Sequence, residues 1–193
     1  MKRDYIEYRI DDQSLDKISD LILTDHPKKV LEIGSWEGGD SITILNELLK
    51  HEDKYPFKFY ISEKDRDKNK ITELAVRLEL PLNSEKIHKD ILFLGDIMSA
   101  EIPQNIDLLI IDTDHDKETS KWIFDNVLPN MKSGGKVIIH DWCIKEIDGE
   151  FSSKSSPWPE MEYYLDLLRN KKFPLKKIEW IVGNAQELGI FEI

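Results

Sequence analysis

Val30 to Ser41, reading VLEIGSWEGGDS, decides how the rest of this chain is read. Val30, Leu31 and Ile33 suit a buried strand. Gly34, Gly38 and Gly39 follow, and glycine enters the φ > 0 region without a Cβ penalty, so the backbone can turn tightly and approach a ligand closely. Asp40 or Ser41 can cap the helix that comes next. A strand that runs through a glycine turn into a helix makes a cradle for something small and polar. The glycines do not fall as GxGxxG, a poor match to the dinucleotide fingerprint, and the absence of GK[ST] excludes a P-loop. The plainer alternative is an ordinary strand-to-helix turn with no ligand.

Working outward, Leu15, Ile18, Leu21 and Ile22 keep helical spacing after Ser14 as a cap, and His26-Pro27 closes that helix. Residues 1–29 form an N-terminal helical segment, laid against the sheet edge. On the other side, Ile42, Leu45, Leu48 and Leu49 continue the helix, and Lys50 to Pro56 reads as a loop. Phe57 to Ile61 is the next strand, ending at Ser62-Glu63. A carboxylate at that strand end can take both ribose hydroxyls of a nucleoside. Asp65 is the fallback ligand, and a solvated turn residue is the other reading of Glu63. Ile71, Leu74, Ala75 and Leu78 give a helix, and Ile91 to Leu94 a short strand ending at Gly95-Asp96. Ile106 to Ile111, nearly all apolar, is a strand covered on both faces and ends in DTDHD. A helix from about Glu118 to Met131 is broken by Gly134-Gly135, and Val137 to Ile139 lead into His140-Asp141-Trp142.

Strands and helices alternating at this spacing imply βαβ crossovers and an α/β, Rossmann-like, doubly wound, mostly parallel sheet. From Cys143 to Pro159 the apolar periodicity disappears, and loops of this length usually carry function. Trp142, Phe151 and Trp158 make residues 143–160 a candidate lid over an acceptor; packing of those rings onto the core is the alternative. Met161, Tyr164, Leu165 and Leu168 form a last helix, and Ile178–Val182 with Leu188–Phe191 a closing antiparallel hairpin.

The chain has 193 residues, enough for one domain spanning 1–193 with a sizeable core. Its net charge of −11 argues against a nucleic-acid partner, since phosphate binding needs clustered Lys and Arg. Cys143 is the single cysteine and cannot form an intramolecular disulfide. The N-terminus MKRDYIEYRI lacks the apolar core of a signal peptide, so a cytoplasmic protein is expected. No apolar run is long enough to span a bilayer, and no membrane partner is expected.

Chemistry collects at two strand ends: Asp112, Asp114, His115 and Asp116, then His140 and Asp141. In a doubly wound sheet both lie on the ligand-binding edge. Asp112 and Asp141 can face one hard cation, with His140 or water completing a mainly oxygen shell that suits Mg²⁺ better than zinc. Solvent-exposed strand-end acids are the bare alternative. For His115 the alternative is an imidazole hydrogen-bonded to neighbouring carboxylates.

Two sets of residues carry a family resemblance. ExGxxxG, with Glu32, Gly34 and Gly38 in place, resembles the first motif of class I S-adenosylmethionine-dependent methyltransferases. IDLLIIDTDHD followed by LPNMKSGGKVIIHDW is similar to the metal-dependent O-methyltransferases typified by macrocin O-methyltransferase, and more distantly to the cephalosporin hydroxylase and rhamnosyl O-methyltransferase group. The resemblance implies the seven-stranded sheet of that class. It implies S-adenosylmethionine as cofactor, held by Glu32, Gly34, Ser35, Trp36, Gly38, Ser41, Glu63, Asp96 and Asp112, with Glu32 near the ammonium end and Asp96 at the adenine. It further implies Mg²⁺ on Asp112 and Asp141, with His140 standing where some relatives have a glutamate. His115 becomes the general base for O-methylation of a small hydroxylated acceptor, a sugar or a natural product. The alternatives are a metal-dependent hydroxylase of the same fold and a non-catalytic nucleotide-binding module.

Overall fold

The computed structural model describes residues 12–34, 39–50, 53–63, 90–113, 115–153, 158–182 and 187–193. Ser35, Trp36, Gly38, Asp65, Asp114 and the helix expected from Ile71 to Leu78 lie outside them. The chain divides into two compact units, Met1–Glu101 and Ile102–Ile193.

In the first unit, α1 (Asp12–Asp25) precedes β1 (Lys29–Ile33), α2 (Gly39–Leu49), β2 (Lys58–Ser62) and β3 (Ile91–Phe93). Leu15, Ile18 and Ile22 are buried, as their spacing requires, and α1 packs against α2. Ser14 is itself buried inside α1, which begins three positions earlier than a Ser14 cap allows. β1 and β2 pair in parallel from Lys29↔Lys58 to Ile33↔Ser62, and β2 pairs in parallel with β3. Backbone bonds extend these ladders past the strands: Gly34 N–H donates to the Ser62 carbonyl at 2.9 Å and Leu94 N–H to that of Ile61 at 2.9 Å.

In the second unit, β4 (Ile106–Ile111) and α3 (Lys117–Asn126) lead to β5 (Met131–His140). The hairpin β6 (Ile144–Ile147) and β7 (Glu150–Ser153) follows, then α4 (Pro159–Arg169), β8 (Lys176–Val182) and β9 (Glu187–Glu192). Leu108 to Ile111 are all buried, and each such side chain gains about 1.5–3 kcal/mol over exposure. β4 lies parallel to β5, β5 antiparallel to β9, and β9 antiparallel to β8. The seven strands run β3-β2-β1-β4-β5-β9-β8, a mostly parallel α/β sheet closed by an antiparallel hairpin, with β6-β7 as a separate two-stranded sheet.

Two boundaries differ from the sequence expectation. α3 stops at Asn126 because Pro129, which has no N–H to donate, falls in a 3-10 turn over Leu128–Asn130. β5 therefore starts at Met131, and the Gly134-Gly135 pair lies inside it; a Cβ on Gly135 would stand 2.8 Å from the Lys132 carbonyl oxygen. The stretch after Cys143 carries a hairpin instead of plain loop, turned by Asp148 and Gly149 at φ 53° and 81°, as a two-residue Asp-Gly turn demands. Among the described residues no helix is long and apolar enough to cross a membrane.

Candidate active site

In the first unit the described residues expected at a cofactor stand on β1 and α2 and just beyond the ends of β1, β2 and β3. Glu32 is buried and accepts a hydrogen bond from the equally buried Ser41 hydroxyl of α2. A carboxylate taken out of water in this way needs donors or a cation around it. Gly34 has φ 90°, a conformation in which any side chain is strained, and it leads the backbone off the strand end. Glu63 stands half-buried immediately after β2, and the Ser62 hydroxyl ties that strand end to Gly95 by donating to its carbonyl at 2.7 Å. Asp96 caps the turn Ile97–Ser99, accepting from Met98 N–H at 3.1 Å.

In the second unit the β4–β5 register, with Ile111 opposite Ile139, brings Asp112 alongside His140 and leaves Asp141 as the next residue. Asp112 is 6% exposed, and His140 Nδ1 donates to its Oδ1 at 2.9 Å. The same nitrogen lies 3.5 Å from Asp141 Oδ2. Asp112, His115 and Asp141 each present one ligand atom, all within 4.8 Å of one another, a spacing that one ion can bridge. His140 is not in that group, and its place is taken by His115.

His115 is held from three sides. Nδ1 meets Glu160 Oε1 at 2.6 Å, Nε2 meets Asp141 Oδ2 at 3.2 Å, and the Trp158 ring stacks on its face with centroids 4.2 Å apart. Burial alone would lower the imidazole pKa, but the hydrogen bonds to Asp141 and Glu160 outweigh it and carry the value up to about 9. His115 and Asp141 both adopt left-handed backbone, φ 61° and 54°, at about 1–2 kcal/mol each for non-glycine residues. Strain of this kind is kept where surrounding structure over-determines it, commonly at functional sites.

Neither Glu160 nor the stacking of Trp158 on His115 was read from the sequence. Glu160 lies 45 residues beyond His115, in the first turn of α4, where an acid ordinarily reads as favourable helix chemistry. Trp142, grouped with the candidate lid, is instead fully buried in an aromatic cluster with Tyr164, Phe173, Trp180 and Phe191. Gly189 makes room for it: a Cβ there would fall 2.9 Å from the indole. That anchor fixes the backbone directly after Asp141.

Residues 31–142 match the family described as methyltransferase domain. No curated protein sequence matches the chain. Among solved structures it is similar to an O-methyltransferase from Klebsiella pneumoniae, at 15% identity and TM-score 0.66, covering 97% of this chain and 83% of that one. It is similar to the O-methyltransferase from Bacillus cereus in complex with SAH, at 14% identity and TM-score 0.67, covering 97% and 84%. It is also similar to a caffeoyl-CoA O-methyltransferase from Staphylococcus aureus, at 14% identity and TM-score 0.61, covering 95% and 85%. At these identities the likeness is one of fold.

Proposed function

The chain belongs to the methyltransferase domain family, and from that premise we propose that it moves the methyl group of S-adenosylmethionine onto a hydroxyl oxygen of a small acceptor, a sugar or a natural product, with residues 1–193 acting as one catalytic domain. The observation that carries this reading is the meeting of Asp112, His115 and Asp141, ligand atoms within 4.8 Å, at the ends of two adjacent parallel strands. The oxygen acceptor is supported further by neighbours in fold that are named O-methyltransferases.

Glu32, Gly34 and Ser41 fit the cofactor: a buried carboxylate suits an ammonium group, and the left-handed Gly34 lets backbone lie against a ligand. Ser35, Trp36 and Gly38 complete that cradle in this reading, Glu63 takes the ribose, and Asp96 serves the adenine. Bound there, S-adenosylmethionine supplies a methyl group on a positively charged sulfur. The carboxylates of Asp112 and Asp141 also fit a divalent cation such as Mg²⁺, which would supply Lewis acidity toward the acceptor hydroxyl. His140 orients Asp112 by its hydrogen bond.

His115 takes the acceptor proton on Nε2. In the structure that nitrogen faces Asp141, and the two flanking carboxylates keep the ring protonated at neutral pH. A cation held by Asp112 and Asp141 would take up the Asp141 charge and so withdraw one of those two supports from Nε2, the nitrogen that acts as base. Residues 143–160 cover the acceptor in this reading, and the contact of Trp158 with His115 supports it.

Calorimetric titration with S-adenosylmethionine and its demethylated product, with Mg²⁺ and after chelation, tests the cofactor assignment. Binding should survive chelation, while labelled methyl transfer to a panel of hydroxylated compounds should require the cation. Absence of binding in both states would remove the methyltransferase reading.

A further inference from the structure

Glu160 is 3% exposed, although it sits in the first turn of a helix whose other early acid, Glu162, faces solvent. Its Oε1 accepts from His115 Nδ1 at 2.6 Å, and its Oε2 is buried with no hydrogen-bond partner among the described residues. Burying a carboxylate is costly unless a partner repays it, and here the partner is an imidazole with its other nitrogen toward Asp141. An acid kept only to favour the start of α4 would do that from water, as Glu162 does. Pro159, at the start of the helix, fixes how the chain enters it, and Trp158 just before it lies flat on the same imidazole. Trp158 and Glu160, on either side of Pro159, thus both bear on one ring.

We propose that Glu160 is the positioning residue of His115: it keeps a proton on Nδ1 and so holds Nε2 on the side of Asp141, where the acceptor hydroxyl would present its proton. The arrangement follows the general logic in which a base is oriented by a third group bonded to its far nitrogen. The consequence for turnover rests on the methyl-transfer reading given above. The geometry does not.

Glu160→Gln preserves shape and an acceptor oxygen while removing the charge, so the fold should survive. Two measurements decide the outcome. In the ¹⁵N-edited spectrum of the cofactor-free protein, the strongly hydrogen-bonded Nδ1 proton of His115 should move upfield or vanish in the variant. In turnover, kcat should fall about 10–100-fold while acceptor KM and S-adenosylmethionine affinity stay within about twofold, as for loss of an orienting partner. An unmoved Nδ1 signal overturns the proposal whatever the reaction is. A moved signal with unchanged kcat also overturns it, since the ring would then be held to no effect. If the parent protein transfers no methyl group, that failure belongs to the functional reading alone, and the ring signal decides whether Glu160 holds His115.

Discussion

Two imidazoles in the second unit each direct Nδ1 at a carboxylate, yet their surroundings differ. His140 closes β5 as part of a strand, its side chain 1% exposed and the side chain of its partner Asp112 4% exposed. His115 stands in left-handed backbone outside any helix or strand, 14% exposed, its second nitrogen turned to Asp141 and its face against Trp158. The first pair is built into the sheet and holds a carboxylate still. The second is built at a strand exit and presents a nitrogen. Burial without access gives a positioning group, whereas the same bond at a partly open edge leaves a nitrogen that can exchange protons.

The largest way to break this comparison is His115→Asn, which keeps a donor near Nδ1 for Glu160 and deletes Nε2. Turnover should drop by about 10²–10⁴-fold, the usual contribution of a positioned base, with S-adenosylmethionine affinity unchanged by calorimetry. A loss confined to cofactor affinity would instead make His115 a binding residue. The same imidazole gives a pH signature. Its folded pKa of about 9 lies above the ordinary 6.5, so its contribution to stability is complete below about pH 6.5 and disappears as pH rises through 9. Denaturant unfolding of the metal-free protein should show the parent losing its margin over His115→Asn across that window. A pH-independent margin would mean that the flanking carboxylates do not hold the proton.

His140→Leu should reverse the pattern by acting first on stability. It leaves Asp112 buried without its donor, and breaking a buried pair from one side costs about 3–5 kcal/mol. Denaturant titration reads this directly. A cost under about 1 kcal/mol, the level of an exposed ion pair, would remove the distinction between the two histidines.

How much of this was legible in the chain follows from how local each feature is. Ile106 to Ile111 were found to the residue because a run of buried apolar side chains needs no distant information. The proximity of Asp112 and Asp141 was legible because parallel strands end on one edge, and it follows from the β4–β5 register. The hairpin Ile144–Ser153 was missed although Asp148-Gly149 is a strong turn signal, because its strands carry few apolar residues and did not stand out. Glu160 could not be found by pattern at all. Nothing in a helix's first turn announces that one of its acids will be buried against an imidazole 45 positions earlier.

The smallest expected effect sharpens the comparison most, because it concerns the residue next to the proposed base. Asp116 caps α3, accepting from Thr119 N–H at 2.7 Å, and its own backbone is extended where His115 is left-handed. Asp116→Ala should cost about 1 kcal/mol, the ordinary value of a lost cap, and Asp116→Asn should recover most of it. If His115 is the base, kcat in Asp116→Ala should fall only a few-fold, through loosening of the turn that sets the imidazole, far short of the 10²–10⁴-fold range of a lost base. A loss as deep as that of His115→Asn would move the proton-accepting role one residue along the chain. His115 would then be a second positioning imidazole, and the difference between the two histidines would be one of exposure alone.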